Sequence, residues 1–314
     1  MKYIKEYSDG DRMSDIYLVK HKVSAVTKNG KPYDSVILQD KTGTIDAKIW
    51  DPHSAGIAEF DTLDYVEVFG EITNFQGQLQ VNVKRVRLAE EGEYVPGDYL
   101  PVSSKDIEGM YKELLGIIDT IENKYIKQLL NAFFREDEQF IKAFKKSSAA
   151  KTMHHGFVGG LLEHSLSVTK LCDYYCTAYP MLKRDILLAA GMLHDMGKMR
   201  ELSLFPANDY TDEGQLLGHI VIGAEMISDK VREIEGFPKT LAAELKHCIL
   251  AHHGEYEYGA AKKPAIMEAM ALFFADNTDA KMEMMTEMFA ATQEQGWLGF
   301  NRLFDSNIRV TSWE

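Results

Sequence analysis

The hydrophobic period of this chain changes once, and that change constrains the fold more than any single motif does. Residues 14–88 alternate apolar and polar side chains with the period of two expected of half-buried strands. From Asp106 onward apolar positions recur three and four apart, as on helices with one buried face. One sheet or one bundle cannot satisfy both patterns, and 314 residues are enough for two cores. The expected organisation is multidomain: an all-β barrel over residues 1–90, a linker at 91–105 where Pro, Gly and Ser gather without a period, and an all-α domain over 106–314.

Within the first part, Lys28-Asn29-Gly30-Lys31 supplies an Asn-Gly hairpin turn between strands at 16–27 and 33–39, because both central residues of such a turn take positive φ. Asp40-Lys41-Thr42-Gly43 makes the next turn. The stretch 44–50 then puts Ile45, Ala47 and Ile49 on one face and Asp46, Lys48 and Trp50 on the other. Two further strands, 64–73 and 78–88, flank a turn at Asn74-Phe75-Gln76-Gly77. Five strands in under 90 residues make a small barrel.

The run Val36-Ile37-Leu38-Gln39-Asp40-Lys41-Thr42-Gly43-Thr44-Ile45-Asp46-Ala47-Lys48-Ile49-Trp50 resembles the second and third strands of an OB-fold. That resemblance implies a single strand bound on their outer face, flanked by the loops at 28–32 and 74–77. Aromatic rings stack on bases and lysines meet phosphates, so Trp50, Phe75, Lys48, Lys28 and Lys31 are the candidate nucleic-acid contacts. Such barrels also bind proteins, and a strand-end tryptophan also serves packing. The chain carries a net charge of −13, whereas residues 1–90 hold 12 Lys+Arg against 14 Asp+Glu. This charge argues against bulk attraction of nucleic acid and leaves a focal contact on the nearly neutral barrel.

The helical part repeats its apolar spacing in Met110-Leu114-Leu115-Ile118, Leu161-Leu162-Leu166-Val168-Leu171, Ile186-Leu187-Ala190-Leu193 and Leu241-Leu245-Ile249-Leu250. The longest apolar runs are short and interrupted by charge, and the N-terminus lacks a signal-like stretch, so a cytoplasmic protein without a membrane partner is expected. Cys172, Cys176 and Cys248 are too few for a disulfide framework. Met282, Met284, Met285 and Met288 cluster near the C-terminus and are read as core packing or a subunit interface.

Eight of the ten histidines fall between positions 154 and 253. A single helical histidine is usually a hydrogen-bonded core residue, so the set carries the meaning. It comprises His164 in Gly159-Gly160-Leu161-Leu162-Glu163-His164-Ser165, the run His194-Asp195-Met196-Gly197-Lys198, His219 opening a helix, His252-His253-Gly254, and Asp276 in Ala275-Asp276-Asn277. This order resembles the HD superfamily of phosphohydrolases. The resemblance implies that His164, His194, Asp195 and Asp276 hold one divalent metal. Asp195 would bridge to a second metal completed by His219 and His252, with His253 a further ligand or a substrate contact. Two such cations need nitrogen and oxygen donors converging from different helices, with manganese the first candidate and iron or cobalt the alternatives. Between them water becomes hydroxide near neutral pH and attacks phosphorus in line. Lys198 resembles the superfamily lysine that approaches the substrate phosphate, and a solvated lysine at a helix C-terminus is the alternative. His154 and His155 are read as contacting the scissile phosphate, as supporting a ligand from behind, or as a simple polar pair at a helix start.

An HD site alone does not choose among phosphate esters. An OB module followed by His-His-x-x-x-Gly-Gly-Leu-Leu-Glu-His and His-Asp-x-Gly-Lys resembles the YhaM-type 3′→5′ exoribonucleases across nearly the whole chain. That resemblance implies release of nucleoside 5′-monophosphates from the 3′ end of single-stranded RNA, some activity on single-stranded DNA, manganese dependence and homo-oligomers. The alternative is a nucleotide or cyclic-dinucleotide phosphohydrolase with the barrel as a docking module. A non-catalytic RNA-binding protein is disfavoured, because a disused site has no chemical reason to keep every metal-coordinating side chain.

Overall fold

The computed structural model describes residues 1–151, 155–290, 292 and 295–312. His154, singled out above, lies outside the described residues. The chain divides into two compact units, Met1–Val102 with Phe205–Ala207, and Ser103–Leu204 with Asn208–Glu314.

In the first unit β1 (Arg12–Val26), β2 (Pro32–Asp40), β3 (Gly43–Ile49), β4 (Tyr65–Phe75) and β5 (Gln78–Leu88) close into a barrel ordered β1-β2-β3-β5-β4, the OB-fold arrangement. β3 and β5 pair in parallel and the other neighbours antiparallel. The period-two pattern is what fills it: Val36, Leu38, Ile45, Ala47, Ile49, Val66, Val68 and Val81 point inward and are buried together. Tyr94 and Tyr99, from the stretch read as a linker, pack their rings on Tyr65, 3.8 and 5.1 Å between centroids.

The turn geometry expected at Asn29-Gly30 is found at a different hairpin. At Asn29-Gly30 only Gly30 has positive φ (+76°), and the Gly30 N–H donates to the Thr27 carbonyl, closing a longer loop. The paired positive φ angles occur instead at Gln76 (+52°) and Gly77 (+86°), between Phe75 and Gln78, which are opposite each other in the ladder. Phe75 therefore ends a strand and does not sit within the turn.

The second unit is built from α1 (Ile107–Asp119), α2 (Lys124–Phe134), α3 (Glu138–Lys146), α4 (Gly160–Ala178), α5 (Arg184–Leu193), α6 (Lys198–Glu201), α7 (Asp212–Glu233), α8 (Lys239–Ala251) and α9 (Met267–Ala290). Asp106, Asn123, Asp137 and Thr211 cap α1, α2, α3 and α7 by accepting main-chain N–H groups. Every residue of α5 from Leu187 to Leu193 is buried, so this helix is apolar on all sides and forms the axis of the unit. α4, α8 and α9 pack around α5. Helices dominate, as the period predicts. A hairpin of β6 (Trp297–Asn301) and β7 (Ser306–Arg309) follows, too short for its alternation to stand out. None of the four clustered methionines is buried, and Met282 is exposed, so core packing does not explain them. Among the described residues no helix is long and apolar enough to cross a membrane.

Candidate functional site

Two of the histidines sit where helices end, and the physics of helix ends aims them. The last carbonyls of a helix have no partner within it. His194, just past α5, gives its Nδ1–H to the Gly191 carbonyl at 2.9 Å, and His252, just past α8, gives its own to Ile249 at 2.7 Å. A ring that donates from Nδ1 keeps the Nε2 lone pair for something else. Both Nε2 atoms point into one centre.

There His164 Nε2 lies 3.1 Å from His194 Nε2, 3.2 Å from Asp276 Oδ1 and 3.4 Å from Asp195 Oδ2. His194 Nε2 is 3.4 Å from the same Asp195 oxygen and 3.9 Å from Asp276. Donors bound at roughly 2.1 Å to one ion stand roughly 3.0–3.5 Å apart, so this set has the spacing of a coordination shell. The other oxygen, Asp195 Oδ1, lies 3.5 Å from His219 Nε2 and 3.6 Å from His252 Nε2. His253 joins them, with the donors of the three histidines within 4.8 Å of one another. Asp195 thus faces one donor set with each oxygen. Among the described residues, Asp195 Oδ1, His219 Nε2 and His252 Nε2 are buried and have no hydrogen-bond partner. Three orphaned acceptors around one point are costly unless a cation satisfies them, and the residues fit a two-metal centre.

Electrostatics agree. Burial would lower the His164 pKa, but hydrogen bonds to Asp276 and Asp279 outweigh it and hold it up at about 10. Burial works against ionised Asp195, yet Lys198, His194 and His219 keep its pKa well below the usual range. Burial first, then neighbouring imidazoles, pushes His252 and His253 down, so both are neutral and able to ligate. The centre attracts positive charge: it holds a proton on His164 and keeps Asp195, His252 and His253 deprotonated.

The approach of α6 to α7 depends on Gly197. A Cβ there would fall 2.0 Å from the His219 carbonyl oxygen and 2.8 Å from the Gly223 nitrogen, so only glycine lets these backbones touch. Gly218, at φ +73°, breaks α7 and starts a fresh helical segment at His219. Glu201 caps that segment, accepting the His219 main-chain N–H at 3.0 Å and facing its Nδ1 at 3.0 Å. Lys198 Nζ lies 2.7 Å from Asp195 Oδ2. His155 is 1 % exposed, and its Nε2 is 3.1 Å from Asp279 Oδ2. That same oxygen takes His164 Nδ1 at 2.8 Å. Asp279 and Glu201 were missed by sequence reasoning. Asp279 lies three residues after Asp276 on one helix face and was within reach of that spacing. Nothing local joins Glu201 to His219.

The centre opens into a cavity of about 420 Å³ whose lining includes Lys198, Lys151, Tyr210, Tyr258 and Phe273. Tyr258 is anchored by its carbonyl, which accepts from His253 Nδ1 at 2.8 Å.

On the barrel, Trp50 is 51 % exposed, stacks on Tyr33 with centroids 5.3 Å apart and donates from Nε1 to Asn82 Oδ1 at 3.0 Å. Lys48 lies on the same outer face but is held 2.8 Å from Asp46 and 2.6 Å from Ser35 Oγ. Phe75, 59 % exposed, and exposed Lys28 and Lys31 sit on the two hairpins flagged by the sequence. Tyr33 and Asn82 were not anticipated. The β2–β3 register, with Asp34 opposite Ile49, carries the signal for Tyr33, since it sets Tyr33 beside Trp50.

Comparison with known proteins agrees with both halves. The HD domain family matches residues 161–281, and the OB-fold nucleic acid binding domain family matches residues 17–89. The 3′-5′ exoribonuclease YhaM of Geobacillus sp. (strain WCH70) is 37 % identical over 285 residues, covering 90 % of this chain and 87 % of that protein. Among solved structures, a replication protein A heterotrimer bound to single-stranded DNA is 19 % identical with a TM-score of 0.22, over 28 % of this chain and 64 % of that one. The second OB-fold domain of replication protein A from Methanococcus maripaludis is 21 % identical with a TM-score of 0.22, over 29 % of this chain and 96 % of that one.

Proposed function

This chain belongs to the family of the 3′-5′ exoribonuclease YhaM, and on that premise we propose that it removes nucleoside 5′-monophosphates from the 3′ end of single-stranded RNA, and of single-stranded DNA more weakly. The observation that carries the reading is Asp195, with one oxygen in each of two donor sets and three orphaned acceptors around the second. In this reading residues 1–90 bind the strand, 91–105 link, and 106–314 hydrolyse.

His164, His194, Asp195 and Asp276 would hold one divalent ion, and Asp195, His219, His252 and His253 the other. Mixed nitrogen and oxygen donors suit manganese, with iron or cobalt also compatible, particularly with the nitrogen-rich second set. When bound, such a pair lowers the pKa of water and offsets charge on the phosphoryl group. The protein's own groups do the rest. Lys198, tethered to Asp195 and lining the cavity, places an ammonium beside the scissile phosphate and binds one of its oxygens. Tyr210 and Tyr258, 47 % and 66 % exposed at the cavity, offer ring faces to the terminal bases. His155, turned to Asp279, supports His164 from behind. On the barrel, the Tyr33–Trp50 pair and Phe75 stack on bases while Lys28 and Lys31 meet phosphates, which raises the local concentration of the strand through the covalent link. Self-association completes the reading, supported by Met282, Trp297 and Phe300, which are exposed near the C-terminus. Sedimentation of the full chain reads it directly.

The test is a time course on 5′-labelled single-stranded RNA with manganese, for the parent and for Asp195→Ala. A ladder shortening from the 3′ end only in the parent supports the proposal. RNA left intact by a manganese-loaded parent that rapidly hydrolyses free nucleotides overturns it.

A further inference from the structure

Among the described residues, every imidazole aimed at the centre has an acceptor behind it, but the acceptors are of two kinds. His194, His252 and His253 rest on the backbone carbonyls of Gly191, Ile249 and Tyr258, at 2.9, 2.7 and 2.8 Å. His164 and His219 rest on carboxylates, Asp279 at 2.8 Å and Glu201 at 3.0 Å. One carboxylate-backed ring belongs to each donor set. Neither carboxylate belongs to the sets themselves, since each meets the Nδ1 side of a ring whose Nε2 faces Asp195.

A carbonyl behind an imidazole fixes its tautomer and orientation. A carboxylate does both and also lends negative charge through the shared proton, which makes Nε2 a stronger donor to a cation. Each carboxylate is itself held by more than the ring it backs. The Asp279 oxygen also takes His155 Nε2 at 3.1 Å, and the Glu201 oxygen also takes the main-chain N–H of His219 at 3.0 Å, so ring and helix start are fixed by one atom. The pairs draw on different helices, α4 with α9 for one and α6 with α7 for the other. A change in one therefore need not disturb its counterpart.

We propose that Asp279 and Glu201 are positioning residues, each setting the affinity of one metal position: Asp279 the set of His164, His194, Asp195 and Asp276, and Glu201 the set of Asp195, His219, His252 and His253. The two positions can then be weakened separately. This rests on the two-metal reading above.

The test uses Asp279→Asn and Glu201→Gln in the full chain, because an amide oxygen still accepts the same N–H groups while the charge is lost. Manganese binding to each stripped protein is followed by calorimetry and by the free-ion paramagnetic signal, with melting of the stripped proteins as the control for folding. The parent is expected to bind two ions per chain. Each variant should bind one ion as the parent does and the other about 10- to 100-fold more weakly, with little change in melting. Adding Asp276→Ala to Glu201→Gln should then weaken the remaining position, while adding His252→Ala should leave it. Two parent-like affinities in both variants overturn the positioning role and leave the nuclease reading standing. Equal weakening of both positions by either variant overturns their independence. A parent that binds no manganese removes the two-metal reading and this inference with it.

Discussion

The metal centre and the outer face of the barrel differ in how many independent contacts hold each functional side chain. His164, His194, Asp195 and His252 are at most 1 % exposed, and each imidazole is fixed from behind by a hydrogen bond. Trp50 is half exposed and is held by one hydrogen bond and one neighbouring ring. The difference follows from the two tasks. Ligands must hold their atoms to a fraction of an ångström, whereas a platform for arbitrary sequence needs only accessible ring faces. Substitutions should therefore act steeply at the centre and shallowly on the barrel.

The largest expected effect is at the shared carboxylate. Asp195→Ala removes a donor from both sets and should lower cleavage by at least about 10³-fold. Binding of single-stranded RNA, read by fluorescence anisotropy, should stay within about 2-fold of the parent. Equal loss of both would erase the contrast between the regions. Next is Gly197→Ala, whose methyl would meet the His219 carbonyl at 2.0 Å. α6 and α7 must part, at a cost of about 1–3 kcal/mol in stability. The resulting displacement of His219 should cost about 10²-fold in cleavage, read beside the thermal midpoint. A parent-like melt and rate would show that this approach is not what positions His219. Smaller again is Trp50→Ala, which should weaken RNA binding by about 1–3 kcal/mol while leaving kcat at saturating RNA unchanged. A fall in kcat would mean that the barrel contributes to the chemistry.

The same contrast explains what was legible in the sequence. The barrel's core alternation and the ligand order are local patterns, so Ile45, Ala47 and Ile49 turn inward and His164, His194, Asp195 and Asp276 lie together in space. Contacts made across the fold were not legible. Glu201 meets His219 only because Gly197 admits α7 and Gly218 restarts it. Tyr33 meets Trp50 through a strand register that the pattern implies only once the turn is known. The turn itself was misjudged at Asn29-Gly30, because Asn29 keeps negative φ and the loop closes through Thr27. A lysine on the right face was also easy to credit with a free charge it does not have.

That lysine yields the smallest expected effect and the sharpest test of the barrel. Lys48 lies on the outer face beside Trp50's strand end, yet its ammonium is held by Asp46 at 2.8 Å and by Ser35 at 2.6 Å, while Gln80 also bonds Asp46. A phosphate would have to compete with a carboxylate already in place. Lys28 is exposed on the β1–β2 hairpin and, among the described residues, has no carboxylate competing for its ammonium. In salt titrations of RNA affinity, Lys28→Ala should therefore flatten the slope of log K against log salt by nearly one unit. Lys48→Ala should change it little and shift affinity by less than about 2-fold. Should Lys48→Ala instead flatten the slope as much as Lys28→Ala, the Asp46 pair opens on binding, and Asp46→Asn should then tighten RNA binding at low salt. The outer face would in that case be held by exchangeable ion pairs, and its contrast with the metal centre would be wider than the unbound geometry indicates.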